Sequence, residues 1–157
     1  MMIRPLILNR ISTQGFTLVE LLVVIAILVI VVTIGIPNFG PTVANGRATS
    51  AANDLLGALQ LARSEAVRLN EPVVISSEGG DWAQGWEIAR SGTPIRQRDH
   101  QLTRVTIIGP NQLVFSSVGN AVPADSFLIE ATGGGNPRRC LTVTASGSAA
   151  ITRGDCL

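Results

Sequence analysis

From Phe16 to Ile36 the chain runs for 21 residues with a single charge, Glu20, and a segment of that kind must be covered by something other than water. As a helix rising 1.5 Å per residue it reaches about 31 Å, which matches the roughly 30 Å core of a bilayer. The rest of the chain has an ordinary soluble character. Of its 157 residues 46% are apolar and 15% charged, the apolar excess is concentrated in that one run, and wholesale disorder is excluded. All 12 basic groups are arginines, against 11 acids, so a net charge of +1 provides no global field to draw in nucleic acid. Two cysteines and one histidine are too few for a zinc site built from Cys and His alone, and they leave little for a Cys/His catalytic centre. No cofactor, metal or enzymatic activity is expected.

Arg4 and Arg10 precede the apolar run with no acid beside them, and the next arginine is Arg47. That asymmetry places the amino terminus in the cytoplasm and everything beyond about residue 40 on the far side of the membrane. An ordinary secretory signal, cut near Thr42, Ala44 and Gly46, is the alternative; its apolar core would be shorter, about 7 to 15 residues, and free of carboxylates. Glu20 costs on the order of 2 to 3 kcal/mol inside an apolar span. Two readings of it stand. It snorkels to the interface from a position near the start of the span, or it pairs with a group from elsewhere, such as the α-amino group released by a cut between Gly15 and Phe16.

The residues Gly15-Phe16-Thr17-Leu18-Val19-Glu20 resemble the cleavage region of type IV prepilins and type II secretion pseudopilins. The resemblance implies a prepilin peptidase that cuts after Gly15, methylates the amino group of Phe16 and leaves the apolar helix in the mature protein. It also implies that Glu20 pairs with the amino terminus of a neighbouring subunit during assembly. Pro37 falls where many type IV pilins carry proline.

Gly35, Pro37, Gly40 and Pro41 interrupt helical propensity, so a kink or melted turn is expected there. From about Thr42 to Leu69 an amphipathic helix is expected, with Ala48, Ala51 or Ala52, Leu55, Leu59, Ala62 and Ala66 on one small apolar face. Its C-terminal half should pack on its own domain, and its N-terminal half either there or on neighbouring subunits. After Pro72 short β-type runs alternate with turns, which predicts an antiparallel sheet. The expected strands are 73–77, 85–90, 104–108, 113–117, 127–131, 140–145 and 149–152, with 91–103 as a loop. The chain divides into a cleaved leader at 1–15, a membrane and assembly helix at 16–36, its amphipathic continuation at 37–71 and a periplasmic β-domain at 72–157.

Ala62-Arg63-Ser64-Glu65-Ala66-Val67, Pro72-Val73-Val74-Ile75, Gly85-Trp86-Glu87-Ile88 and Cys140-Leu141-Thr142-Val143 before Gly147 narrow the resemblance to the GspH/FimT family of minor pilins and pseudopilins. That likeness implies an α+β, type IV pilin-like fold, a long amino-terminal helix packed on an antiparallel β-domain. It further implies a role in the priming or tip complex of a pilus, or in the secretion pseudopilus. Expected partners are other minor and major pilins or pseudopilins, the prepilin peptidase, the inner-membrane assembly platform and the membrane itself. Some relatives resemble DNA-uptake receptors that use a Gly-Arg-x-Arg element in the carboxyl-terminal tail. Here Gly147 is followed by Ser148-Ala149-Ala150, so the element is absent, and only Arg138, Arg139 and Arg153 are left as candidate phosphate contacts.

Cys140 and Cys156, both in a region assigned to an oxidising compartment, are expected to pair and to hold the last strand against the sheet. His100 stands alone in the charged loop, and Ser64 beside Glu65 has no histidine at a matching spacing. Trp82 and Trp86 are expected as packing residues, and Gly133 to Gly135 as a turn.

Overall fold

A computed structural model of the chain describes residues 15–35, 39–98 and 101–156. It falls into two units, divided between Pro37 and Asn38. The described part of the first contains α1 (Leu18–Gly35), in which every residue except Glu20, Thr33 and Gly35 is apolar. Its side chains are exposed on every side wherever they are described. Taken alone, no helix among the described residues is long and apolar enough to cross a membrane. Pro37, where a kink is expected, lies outside the described residues.

The second unit opens with α2 (Phe39–Leu69), longer at its start than the periodicity predicts because proline is tolerated in a first helical turn, and Pro41 sits there. Its end is a Schellman motif. Asn70 takes the left-handed conformation at φ 52°, its amide donates to the Val67 carbonyl, and the Glu71 amide donates to Ala66, so the last carbonyls are satisfied before Pro72. The buried face comprises Ala44, Ala48, Ala51, Ala52, Leu55, Ala58, Leu59, Ala62 and Ala66. It includes the whole expected stripe, and Ala44 and Ala48 show that the N-terminal half packs within its own unit too.

The strands form two antiparallel sheets where the sequence suggests one. The first has the order β3-β2-β1-β5-β6, with β1 Val73–Ser77, β2 Trp86–Arg90, β3 Thr93–Arg98, β5 Gln112–Phe115 and β6 Ala121–Val122. The second has the order β4-β7-β8-β9, with β4 Val105–Ile108, β7 Ser126–Ala131, β8 Arg138–Val143 and β9 Ala149–Arg153. β4 and β5 are neighbours in sequence, yet each joins a different sheet. Gly109 makes that crossing possible, because the chain passes so close to the Phe127 ring that any Cβ would enter it. Helix α2 packs against strands of both sheets, and Leu55, Leu59, Ile75, Ile88, Phe115, Phe127 and Leu141 form one core.

The stretch from Ser91 to Thr103, expected as a loop, contains β3. Ser91 and Gly92 both have positive φ, at 47° and 79°, and link Arg90 directly to Thr93 in a two-residue hairpin of the kind that matches strand twist. β3 is an edge strand without a buried face, carrying Pro94 and two arginines, so it leaves no alternation to read. Arg98 ties it down, stacking 4.9 Å above the Trp86 ring and pairing with Asp54 of α2 at 2.9 Å.

Trp82 and Trp86 are buried packing residues. The Trp82 indole donates to the Pro110 carbonyl at 2.8 Å and meets Phe127 edge-on at 5.0 Å, so it links the loop after β1 to the second sheet. A second clasp closes the opposite corner. There Arg63 of α2 donates from Nε to the Gly119 carbonyl at 3.0 Å and from Nη2 to the Ser146 carbonyl at 2.9 Å. Beside it the Ala121 amide reaches the Ala145 carbonyl at 3.0 Å, joining the two sheets. Gly147 turns there at φ 76°, and a Cβ would run into the Gly119 carbonyl oxygen.

Two outcomes follow from these contacts. Gly147→Ala should cost more than about 1 kcal/mol, since both its φ and its space exclude a side chain. Arg63→Met strips charge-assisted bonds worth about 1.5 to 3 kcal/mol each. Because the two changes break one clasp, urea midpoints of the double variant should fall by less than the sum of the single losses.

Candidate functional site

The amino-terminal end of α1 is organised by three hydrogen bonds between two residues. The Thr17 amide donates to Glu20 Oε2 at 3.0 Å, the Thr17 hydroxyl donates to the same oxygen at 2.9 Å, and the Glu20 amide donates to Thr17 Oγ1 at 3.2 Å. This is a capping box, in which a threonine at the N-cap and a glutamate three residues on satisfy each other's orphan amides. Thr17 thus supplies Glu20 with neutral hydrogen-bond partners inside the chain, which the two sequence-based readings of this acid do not include. The signal was present as Thr-x-x-Glu immediately before an apolar run. Only Oε2 takes part, so Oε1 keeps its acceptor capacity. Gly15 and Phe16 precede the cap, and the Phe16 side chain is 82% exposed. An amine at Phe16 would sit one residue upstream of the capping Thr17.

At the far end of the chain Cys140 and Cys156 form a disulfide with Cα atoms 5.1 Å apart. Alternation along β8 sends Arg139, Leu141 and Val143 to one face and Cys140 to the other; all four are buried. The bridge draws the chain beyond β9 to the face carrying Cys140. Arg138 is fastened there as well, donating to Glu130 Oε2 at 3.0 Å and to Asp155 Oδ1 at 2.7 Å. The Asp155 hydrogen bond, then its charge and that of Glu130, raise the Arg138 guanidinium above its ordinary pKa.

The three candidate phosphate-binding arginines are not equivalent. Arg153 is exposed, Arg138 is occupied by two carboxylates, and Arg139 is 7% exposed. Arg139 is therefore not a surface charge. On the inner face of β8 its guanidinium donates to Asn45 Oδ1 and Thr49 Oγ1 of α2 and to the Arg138 carbonyl. It anchors the first half of α2 to the second sheet. The Ser64 hydroxyl donates to the Leu61 carbonyl, and Glu65 pairs with Arg68. His100 lies outside the described residues.

The fold agrees with what known proteins show. The model of the type II transport protein GspH matches residues 51–147, and the prokaryotic N-terminal methylation motif matches residues 10–36. Two crystal forms of the type IV minor pilin FimU of Pseudomonas aeruginosa (strain PAO1) are similar in structure, each at 28% identity. The first covers 71% of this chain and 92% of FimU with a TM-score of 0.61; the second covers 66% and 91% with a TM-score of 0.56. No curated protein sequence matches the chain significantly. With more than half its length matched by the GspH model and a methylation motif at its start, the chain belongs to the GspH/FimT-like family of minor pilins and pseudopilins.

Proposed function

We propose that the protein is a minor pilin of the type IV pilus, made as a prepilin, anchored in the inner membrane with its β-domain in the periplasm, and used in pilus priming or at the tip. The observation that carries this reading is the contrast between the two units. Unit two has a complete core of its own, whereas α1 has large apolar side chains such as Leu21, Val24 and Leu28 exposed by 46% or more. That surface needs lipid first and the helices of other pilins afterwards. The 18 residues of α1 supply about 27 Å of a span that the sequence extends over 16–36. Moving such a helix from lipid into a bundle gains nothing from hydrophobicity, so packing and the partner of Glu20 provide the preference. Processing after Gly15, methylation at Phe16 and the pairing of Glu20 with a neighbouring amine belong to this reading. The assembly platform and other pilins are its partners.

The match with FimU over nearly all of that chain, together with the disulfide, supports the pilus over the secretion pseudopilus. The pseudopilin reading draws on the GspH model itself, and deletion of the gene separates the two: loss of surface pili supports the first, loss of exoprotein secretion the second. A DNA-uptake role has less to draw on, since Arg153 alone among Arg138, Arg139 and Arg153 is exposed without a carboxylate partner among the described residues.

Sequencing of the mature protein should begin at methylated Phe16. A start near Gly46, or retention of the leader in assembled fibres, would overturn the proposal. Glu20→Gln and Glu20→Ala divide the two roles of the carboxylate. Glutamine preserves a capping box and removes the charge, whereas alanine removes both. If charge pairing drives assembly, both variants remain membrane-inserted and both lose incorporation into pili; full incorporation of the glutamine variant would leave only the cap.

A further inference from the structure

Two arginines of the second unit lack the carboxylates that four other described arginines have. Arg68, Arg90, Arg98 and Arg138 each pair with an acid, whereas Arg47 and Arg104 have none in reach among the described residues. They also converge. The Nη1 atoms of both lie 3.7 Å from the point where a Cβ of Gly133 would be, so the two cations are at most twice that distance apart. Like charges so placed repel one another unless an anion sits between them. The absent side chain of Gly133 leaves that space open. Around it, the amides of Gly133, Gly134, Gly135 and Asn136 donate to no backbone acceptor among the described residues.

This loop packs on the first turn of α2, with the Gly134 backbone against Gly40 and Pro41. Phe39 and Val43 of that turn are 65% and 46% exposed, and with Arg47 they follow an i, i+4, i+8 spacing along one helix face. Apolar side chains, then cations, then free amides is the arrangement that meets a bilayer interface, with acyl chains first and phosphates behind. In the sequence, Phe39 comes three residues after the apolar run ends at Ile36.

We propose that Arg47, Arg104 and the Gly133–Asn136 loop seat the phosphate of an anionic phospholipid headgroup in the periplasmic leaflet, with Phe39 and Val43 entering the interface. The seat rests on the anchored reading of the chain and holds the β-domain against the membrane until assembly removes it. Each arginine held against an anionic leaflet favours contact about five-fold.

Hydrogen exchange of the full chain in lipid nanodiscs tests this. In discs of about one-third phosphatidylglycerol, amides 133–136 should exchange at least about five-fold more slowly than in phosphatidylcholine discs. Amides 112–115 should be unchanged, and Arg47→Gln with Arg104→Gln should abolish the difference. Equal exchange in the two disc types, with the chain still incorporated, would overturn the seat and leave the anchor standing. Failure to enter either disc would overturn the anchored reading itself. Equal protection in neutral discs by soluble glycerol phosphate would overturn the lipid assignment, and stronger protection there by duplex DNA would replace it with a nucleic-acid contact.

Discussion

The close approach of α2 to two sheets at once is the constraint on which the rest of the domain depends, and alanine makes it possible. Seven of the nine buried positions on α2 are alanines, from Ala44 to Ala66, and only Leu55 and Leu59 project far. A helix face made of methyl groups lets its backbone sit near both β7-β8 and β1-β5, so the large side chains that fill the interior come from the strands. Burial stabilises by about 25 cal/mol per Å² of apolar surface, and the strand residues Phe115, Phe127, Ile129 and Leu141 are fully buried. A larger residue on α2 would push the sheets apart, and the corner contacts show how little room exists. Gly109 lies against a ring, and Gly147 lies against a carbonyl oxygen.

Polar contacts then specify what apolar packing leaves free. Arg139 fixes where along β8 the first half of α2 lies, and Arg63 fixes the second half against two loops from different sheets. Burying a guanidinium without a carboxylate is costly, and the cost is offset only because Arg139 reaches three oxygen acceptors. The unit is therefore self-sufficient, and α1 is the opposite: regular within itself and apolar on every described side. A chain that places a finished domain behind an unfinished helix is built to lend that helix to something else.

Periodicity carried most of the fold. The alanine and leucine stripe of α2 and seven of the nine strands are readable in the sequence, and of those strands all but β9 carry a buried side chain. β3 was unreadable for the converse reason: an edge strand with no buried face has no pattern, and its only mark was the Ser91-Gly92 turn after β2. β6 is two residues long, too short to show alternation. The division into two sheets was hidden because nothing local separates β4 and β5 except a turn that could equally close a hairpin. At the candidate site the Gly-Phe signature was plain, and so was the cysteine pair. Arg139 looked like a surface charge because the expected strand began at Cys140; extending it two residues puts 139, 141 and 143 on one face.

Glu20 shows how one carboxylate can meet two demands that seem to compete. Left bare in lipid it would be expensive, and an expensive group ought to be lost unless something requires it. The Thr17 cap lessens that cost within the chain, with donors that carry no charge and are present before any partner arrives. A cut after Gly15 leaves both Thr17 donors in place, because the Phe16–Thr17 amide is not the bond that breaks. The cap would therefore survive such a cut, while Oε1 keeps its acceptor capacity. Glutamate at this spacing is long enough to reach back to the N-cap amide and acidic enough to prefer an amine over water. A glutamine would satisfy only the first requirement; the second belongs to the proposed pairing with a neighbouring amine.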